Sequence, residues 1–154
     1  MDVADVMTKA IVTCHPQDSL DLAAHRMWDA DCGALPVTDA DGALIGILTD
    51  RDICMSAWSR GRPLADIRVE DAMARQVYTV KPDQEIGVAE LLMAEHQIRR
   101  VPVVDASHRP IGLVSMNDLA REAARPGSKL KDGVTRALHT LAAICTPRRR
   151  GKAA

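Results

Sequence analysis

The sequence predicts an α/β (α+β) protein in which one β-α-β-β-α unit occurs twice and a C-terminal amphipathic helix follows. Residues 3–54 align without a gap with residues 69–120 at a constant offset of 66 positions, and 14 of the 52 aligned pairs are identical. An average composition gives roughly three or four identities by chance. Apolar residues with helical spacing alternate in each copy with short apolar runs that are typical of strands. We therefore expect two lobes related by a pseudo-two-fold axis.

The first half of each unit predicts a short extended stretch followed by a helix. In the first copy the extended stretch covers 10–14 and ends before Pro16. Asp18 or Ser19 is then expected to cap a helix. The apolar residues of this helix recur at helical spacing and are Leu20, Ala23, Ala24 and Met27. The second copy has Ile86, Ala89 and Met93 at the same positions, which predicts the same helix there.

The second half of each unit predicts two strands and another helix. Residues 35–37 form a strand with its proline at the start or at an edge. Residues 39–42 have turn composition, and 43–48 form a second, almost wholly apolar strand that precedes a helix from Thr49. The corresponding elements of the second copy are strands at 101–104 and 111–114 and a helix from Ser115.

These elements divide the chain into five parts. Repeat 1 covers 3–58, an exposed linker covers 59–68, and repeat 2 covers 69–125. A helix is expected over 128–145, to pack on its own module or on a second subunit, and a basic disordered tail over 146–154. The apolar stripe of the helix consists of Leu130, Val134, Ala137, Leu138, Leu141, Ala142 and Cys145.

Composition excludes several classes of protein. Hydrophobic residues make up 47% of the chain and aromatic residues only 2%, so the core is expected to be aliphatic. The net charge of −1 argues against non-specific electrostatic binding of nucleic acid. The basic tail is expected to be solvated. The sequence contains neither an apolar run of membrane-spanning length nor a signal peptide, which predicts a cytoplasmic protein that does not bind membranes.

Cysteine and histidine usage predicts no metal site. The four cysteines show no CxxC pair and no zinc-finger spacing, and the five histidines are scattered. In a reducing cytosol four free thiols are expected. The alternative is a disulfide between Cys14 and Cys145, which would tie the C-terminal segment to the first repeat.

One motif with binding chemistry occurs in both copies. Residues 46–52 and 112–118 both fit Gly-apolar-apolar-(Ser/Thr)-x-x-Asp, at the junction of a predicted strand and helix. The glycine permits close approach to the strand backbone. The aspartate can accept hydrogen bonds from both ribose hydroxyls, and the helix N-terminus favours a phosphate. A serine or threonine followed three residues later by an acid is also a helix capping box, and the two interpretations are compatible.

A pair of arginines makes the two copies unequal. Arg99 and Arg100 precede the first strand of the second copy, where their guanidinium groups suit phosphate recognition. Gly33 and Ala34 stand at the matching positions of the first copy. The alternative is a surface pair that balances nearby acids such as Glu95.

The sequence resembles a cystathionine β-synthase (CBS) domain pair, or Bateman module. The resemblance rests on the order of elements, the doubled Gly-x-x-(Ser/Thr)-x-x-Asp motif and the x-Pro-Val strands. The resemblance covers about residues 3–125. Segments 32–36, 95–103 and 143–147 resemble the small stand-alone pairs of the hypoxic-response type. Members of the family also pair into dimers through the helices that begin after Thr49 and Ser115 and the helices before them, so the resemblance implies a homodimer.

The resemblance implies an adenosine-containing ligand, namely AMP, ADP, ATP, NADH or S-adenosylmethionine, in clefts between the two repeats, and no required cofactor. The implied ribose ligands are Thr49, Asp52, Ser115 and Asp118, and the implied phosphate ligands are Arg99 and Arg100. The implied base pockets consist of Thr13, His15, Pro16, Ala34, Leu35, Thr79, Lys81, Pro82 and Val101.

The sequence favours a regulatory module over an enzyme. It contains no P-loop, no nucleophile elbow, no metal-ligand cluster and no acid/base pair of carboxylates. The leading hypothesis is a sensor that signals to an unidentified effector protein in trans. The alternative is a ligand-free, dimeric, stress-associated scaffold of the same fold.

Overall fold

The protein is described by a computed structural model that covers residues 1–130 and 132–146. It contains two small antiparallel sheets and six α-helices among these residues, as the α+β prediction requires. The elements are α1 (Val3–Val6), α2 (Leu20–Asp29), β1 (Ala34–Thr38), β2 (Leu44–Thr49), α3 (Asp50–Arg60), α4 (Ile86–His96), β3 (Arg100–Val104), β4 (Pro110–Ser115), α5 (Met116–Ala124) and α6 (Gly133–Cys145).

Each lobe is built on one hairpin, and the two hairpins have the same register. Ala34 lies opposite Thr49 in the first hairpin, and Arg100 lies opposite Ser115 in the second. The turns are also equivalent, because the Oδ1 atoms of Asp39 and Asp105 each accept two backbone N–H groups within their turn. The shared register places the hydroxyl residue of each motif beside the start of the neighbouring strand.

The strand predicted at 10–14 is reduced to one residue. Cys14 forms a single parallel bridge with Val37, and Val80 forms the equivalent bridge with Val103. The stretch before Cys14 does not pair with the sheet, and the Thr13 carbonyl accepts a hydrogen bond from Arg26. Residues 10–12 are therefore free to face the space between the lobes.

Each lobe is completed by a segment from the start of the other repeat. The core of lobe 1 contains Ile67, from the end of the linker, and Val69 and Met73, from the start of repeat 2. The core of lobe 2 contains Val3, with Met7 packed against it, from the beginning of the chain. We call residues 1–8 and 67–74 the crossing segments. Their exchange means that neither repeat has a complete core without the other.

The crossing segments are held by matching hydrogen bonds. Thr8 and Leu113 exchange a pair of backbone hydrogen bonds, with N–O distances of 2.9 and 3.0 Å, and Ala74 and Ile47 exchange the equivalent pair. Val3 N donates to the Gln84 carbonyl at 2.8 Å, and 66 positions later Val69 N donates to Asp18 at 2.9 Å. The duplication therefore extends to the contacts between the lobes.

The motif glycines make room for the crossing segments. A methyl group on Gly112 would lie 2.6 Å from the Met7 Sδ and 3.1 Å from the Thr8 carbonyl oxygen. A methyl group on Gly46 would lie 2.7 Å from the Met73 Sδ. The close approach that the sequence predicts at these glycines is thus an approach of the protein's own chain.

Helix α6 packs on α4 and α5 of lobe 2. Its buried residues are Gly133, Ala137, Thr140 and Ile144. Thr140 is accommodated because its hydroxyl donates to the Arg136 carbonyl. The predicted apolar stripe is therefore not the packing face: only Leu130 and Ala137 of its seven members are buried, and Val134, Leu138, Leu141, Ala142 and Cys145 are exposed.

The residues of the predicted linker are exposed except Leu64, which is partly buried, and Ile67. Helix α3 extends through Arg60 and ends at Gly61, which has the left-handed conformation with φ of 59°. Ile67 is fully buried because it belongs to the crossing segment of lobe 1. Of the predicted disordered tail, residues 147–154 lie outside the described part of the chain.

The disulfide left open by the sequence is not formed. All four cysteines are free thiols. Cys14 is buried in the core of lobe 1, whereas Cys145 is exposed at the end of α6, which packs on lobe 2.

No helix in the described part of the chain is both long enough and apolar enough to cross a membrane.

We predict that Gly112→Ala destabilises the protein by about 1–3 kcal/mol, because the new methyl group overlaps Met7 and crowds Thr8. Urea unfolding of the single variants Gly112→Ala and Met7→Ala and of the double variant measures this. The double variant should lose less free energy of unfolding than the sum of the single losses. Additive losses would show that the Met7 side chain does not press on Gly112.

We predict that Cys14 resists thiol reagents in the folded protein. Burial, reinforced by Asp18 and opposed by Arg26, raises the pKa of Cys14 from 9.0 to about 12. At pH 8 only about one in ten thousand Cys14 side chains is then the reactive thiolate. In a DTNB titration without reductant, the exposed Cys54 and Cys145 should react first. Unfolded protein should yield four thiols; two would indicate a disulfide.

Candidate functional site

A cavity of about 620 Å³ lies where the two lobes meet, which is within the size range of small-molecule sites. Its lining from the second repeat consists of Arg99, Arg100, Leu113, Ser115, Met116, Asn117, Asp118 and Arg121. Its lining from the N-terminal half consists of Thr8, Ala10, Ile11, Val12, Ala30, Asp31, Cys32, Gly33, Ala34 and Pro36. Both halves of the duplication are therefore needed to form it.

Ser115 and Asp118 stand where β4 ends and α5 begins. The Ser115 hydroxyl accepts from the Asp118 N–H at 3.2 Å, and Asp118 Oδ2 accepts from the Ser115 N–H at 2.8 Å. The Ser115 hydroxyl also donates to the same carboxylate oxygen at 2.5 Å. This is a complete capping box. The capping interpretation is thus correct for this motif, and the same two side chains also line the cavity.

The second carboxylate oxygen of Asp118 is bound by residues from two different elements. Oδ1 accepts from the Thr8 hydroxyl at 3.1 Å and from the Arg121 guanidinium. The Asp118 side chain is 4% exposed, whereas that of Arg121 is 74% exposed. Arg121 can therefore move aside at little cost, and a ligand hydroxyl can then take its place on Oδ1.

The charge of the cavity favours an anion. Three arginines, Arg99, Arg100 and Arg121, line it together with two acids, Asp31 and Asp118, which leaves one net positive charge. Guanidinium groups bind phosphate oxygens with two parallel hydrogen bonds. The arrangement can therefore hold a phosphate next to a hydroxyl-binding carboxylate.

Gly33 makes room for the Arg100 side chain beside Asp50. A methyl group on Gly33 would lie 2.8 Å from the Arg100 Nη2 and 2.8 Å from the Asp50 Oδ2. A side chain at this position would displace Arg100 or Asp50. The small residue in the first copy and the arginine in the second are thus complementary across the interface between the lobes.

Thr49 and Asp52 form the equivalent capping box at the start of α3 but do not line this cavity. Asp52 Oδ2 accepts from the Thr49 N–H at 2.9 Å and from its hydroxyl at 2.7 Å. The Arg121 position is occupied by Met55 in this copy. The same local motif therefore occurs in two different surroundings.

Larger side chains occupy the positions around Thr49 that correspond to the cavity lining. Tyr78 and His96 stand where the cavity has Val12 and Ala30, and their rings stack with centroids 3.5 Å apart. Gln76 stands in place of Ala10 and donates to the Tyr78 hydroxyl at 2.7 Å. The residues that correspond to the small residues of the cavity lining are thus larger and contact one another.

The structure brings five predicted site residues into one cavity and places the others elsewhere. Those that line it are Arg99, Arg100, Ala34, Ser115 and Asp118. Thr79 and Lys81 line a separate cavity of about 270 Å³ with Asp105 and His108.

The remaining base-pocket candidates do not line the cavity between the lobes. Leu35 and Val101 are core residues, because both faces of their strands are buried. The His15 Nδ1 lies 3.1 Å from the Thr38 carbonyl oxygen. The others that lie outside the lining are Thr13, Pro16 and Pro82. The segment that does face the cavity, Ala10–Val12, comes a few residues earlier in the chain, because Cys14 anchors the following residues in the core.

Sequence reasoning missed Thr8, Asp31 and Arg121. Arg121 follows Asp118 by three positions on a helix, so its proximity to the carboxylate was readable from the spacing. Thr8 reaches Asp118 across 110 residues of chain through the crossing segment, and no local pattern indicates such a contact.

The family assignment agrees with this geometry. A family model described as the CBS domain matches residues 3–58 and 69–125. The chain belongs to the CBS-domain family. It is a CBS domain pair, a regulatory module, and the two matched stretches contain both motifs and both hairpins.

Other CBS proteins match over most of the chain. The CBS domain-containing protein YhcV of Bacillus subtilis is 37% identical over 118 residues, 77% of this chain and 82% of YhcV. Hypoxic response protein 1 of Mycobacterium tuberculosis is 34% identical over 76% of this chain and 81% of that protein.

Solved CBS structures have the same fold. The CBS domain pair of protein MJ0100, in complex with 5′-methylthioadenosine and S-adenosyl-L-methionine, has a TM-score of 0.71, with 30% identity over 79% of this chain and 98% of that chain. The structure of hypoxic response protein 1 with two coordinated zinc ions has a TM-score of 0.72, with 32% identity over 82% of this chain and all of that chain. Among the described residues of this CBS pair, no three His, Cys, Asp or Glu side chains are grouped to hold a metal.

Proposed function

We propose that this CBS pair is a non-catalytic sensor that binds one phosphorylated adenosine compound per chain in the cavity between the lobes. The observation that carries the proposal is the buried carboxylate of Asp118 beside three guanidinium groups in one cavity. The MJ0100 complex supports an adenosine ligand for this fold. The candidates are AMP, ADP, ATP and NADH. S-adenosylmethionine is disfavoured, because its sulfonium would enter a cavity with net positive charge.

Each part of the ligand has a matching part of the cavity. The Asp118 carboxylate accepts hydrogen bonds from the ribose hydroxyls. The Arg121 guanidinium then leaves this carboxylate and binds the phosphate together with Arg99 and Arg100. The base lies against the apolar wall that Ile11 and Val12 contribute. A charge-assisted hydrogen bond contributes roughly 1.5–3 kcal/mol net. Two such bonds and the phosphate contacts support a micromolar dissociation constant.

The ligand signal travels through the crossing segment. Thr8 binds Asp118 through its hydroxyl and pairs with Leu113 through its backbone. A ligand that rearranges the Asp118 carboxylate therefore changes the contact that joins the beginning of the chain to lobe 2. We propose that an effector protein in trans detects this change.

We also propose that the chain forms a two-fold dimer through α2 and α3. Trp28 and Trp58 are 83% and 78% exposed on these helices. Ala94 and Ala124 stand at the equivalent positions of lobe 2, and α6 packs on the two helices that contain them. The uncovered face thus carries the large aromatic residues that are enriched in interfaces.

Opposite charges can meet when α2 packs on α3 of the second copy. Exposed residues of α2 include Asp21 and Asp29, and exposed residues of α3 include Arg51 and Arg60 as well as Asp50. A two-fold axis lets the arginines of each α3 pair with the aspartates of the α2 in the second copy, and both contacts form at once.

We predict that Asp118→Ala weakens nucleotide binding by about 10–100-fold, because the ribose loses its acceptor. Calorimetric titration of nucleotide-free protein with AMP, ADP, ATP, NADH and S-adenosylmethionine measures the affinity and the stoichiometry.

Asp52→Ala is the matched control, since it removes the same carboxylate from the other capping box. It should leave affinity within about three-fold and stoichiometry at one per chain. Two sites per chain, or equal losses in both variants, would contradict the single-site assignment. Absence of heat for the whole panel with folded, empty wild-type protein would overturn the sensor proposal and favour the ligand-free scaffold.

We predict that Trp58→Ala converts the dimer to a monomer, because it removes a large aromatic side chain from each half of the interface. Light scattering during size-exclusion chromatography measures the mass. Leu138→Ala, on the exposed face of α6, is the control and should leave the dimer intact. Dissociation by the control alone would move the interface to α6, and a monomeric wild-type protein would exclude the dimer.

A further inference from the structure

Asp31 is the one charged residue of the cavity lining to which the function proposed above gives no role. The carboxylate of Asp118 is assigned there to the ribose and the three arginines to the phosphate. Asp31 lines the same cavity and is exposed. Among the residues that the structure describes, none donates a hydrogen bond to its carboxylate. Asp31 can therefore accept a hydrogen bond from a bound ligand.

The backbone around Asp31 is held at the end of α2. Asp31 has the left-handed conformation with φ of 47°, which aspartate adopts more readily than most residues. Its N–H donates to the Trp28 carbonyl at 3.2 Å, and the Cys32 N–H donates to the Met27 carbonyl at 2.9 Å. These bonds satisfy carbonyl groups of the last helical turn. The position of the residue is thus set by α2, whereas its carboxylate has no bond to break before it binds a ligand.

The duplication indicates which part of the ligand Asp31 meets. Val12 and Ala30 both line the cavity, and the residues at the equivalent positions of the other copy, Tyr78 and His96, stack ring on ring. Because the two hairpins share one register, we expect positions 12 and 30 to face each other as positions 78 and 96 do. A planar base between Val12 and Ala30 then has one edge close to Asp31, which is the next residue in the chain.

A carboxylate at the edge of the base discriminates between purines. An ionised carboxylate accepts hydrogen bonds and cannot donate them. Adenine has an amino group at carbon 6, which donates, whereas hypoxanthine and guanine have a carbonyl oxygen at that carbon. A carbonyl oxygen that faces the carboxylate leaves two acceptors without a donor, which weakens binding.

We propose that Asp31 is the base-specificity residue of the cavity between the lobes, and that its carboxylate accepts a hydrogen bond from the 6-amino group of adenine. The inference rests on the proposed function, since it takes the ribose at Asp118 and the phosphate at the arginines as given. It goes beyond that function by naming the group that distinguishes adenine from other purines.

The test is a calorimetric titration of the full chain with AMP, IMP and GMP, which share ribose and phosphate and differ only in the base. The wild-type protein should bind AMP about ten-fold more tightly than IMP, because IMP loses a hydrogen bond to a charged acceptor. Asp31→Asn should reduce this preference to about two-fold or less, since its amide can donate to the carbonyl oxygen of IMP.

Asp41→Asn is the matched control. It makes the same change at an exposed position of lobe 1 outside the cavity lining, and it should keep the preference for AMP. An equal loss of preference in both variants would mean that general surface charge causes it, which contradicts the role of Asp31. Tighter binding of GMP than of AMP would also contradict it, because guanine has no 6-amino group.

The same titrations separate failure of this inference from failure of the proposed function. If AMP binds and Asp118→Ala weakens it, but Asp31→Asn leaves the ratio of AMP to IMP affinity unchanged, Asp31 does not read the base and the nucleotide site stands. If none of the three nucleotides binds to folded, nucleotide-free protein, both proposals are overturned.

Discussion

The exchange of the two crossing segments is the constraint on which the rest of the structure depends. Each hairpin and its helices leave an apolar surface that residues of the other repeat must cover, with Val3 and Met7 on lobe 2 and Val69 and Met73 on lobe 1. Because each segment is the start of one repeat and part of the other lobe's core, the lobes are tied together twice. This exchange holds together the two lobes between which the cavity lies, and Thr8 of one crossing segment lines the cavity itself.

The capping box and the proposed ligand site use the same atoms. A capping box needs a carboxylate three residues after a hydroxyl, and it leaves one carboxylate oxygen available. At Asp118 that oxygen faces the cavity and is held by Thr8 and by the exposed Arg121. The local requirement of α5 therefore positions the carboxylate rigidly, and its burial in a site with guanidinium groups makes it suitable for recognising a ribose and a phosphate together.

Small differences between the copies turn a symmetric framework into an asymmetric molecule. Arg99 and Arg100 stand where the first copy has Gly33 and Ala34, and Tyr78 and His96 stand where it has Val12 and Ala30. Alanines at 94 and 124 stand where lobe 1 exposes tryptophans, and α6 packs on that side. Duplication thus gives the two lobes the same backbone architecture. Differences in side-chain size then make equivalent surfaces of the two lobes differ.

The sequence by itself determined the repeat, the two hairpin strands and the flanking helices of each copy, and both capping motifs, because each depends on local periodicity or on residues three positions apart. It also indicated Ser115 and Asp118, which belong to one of those motifs, and Arg99 and Arg100, which form a basic pair directly before a predicted strand. Only the tertiary structure decided that Thr8 reaches Asp118 across 110 residues, that Ala10–Val12 rather than Thr13–Pro16 face the cavity, and that Cys14 and Cys145 stay apart. Those contacts join distant parts of the chain through packing, for which local spacing carries no signal.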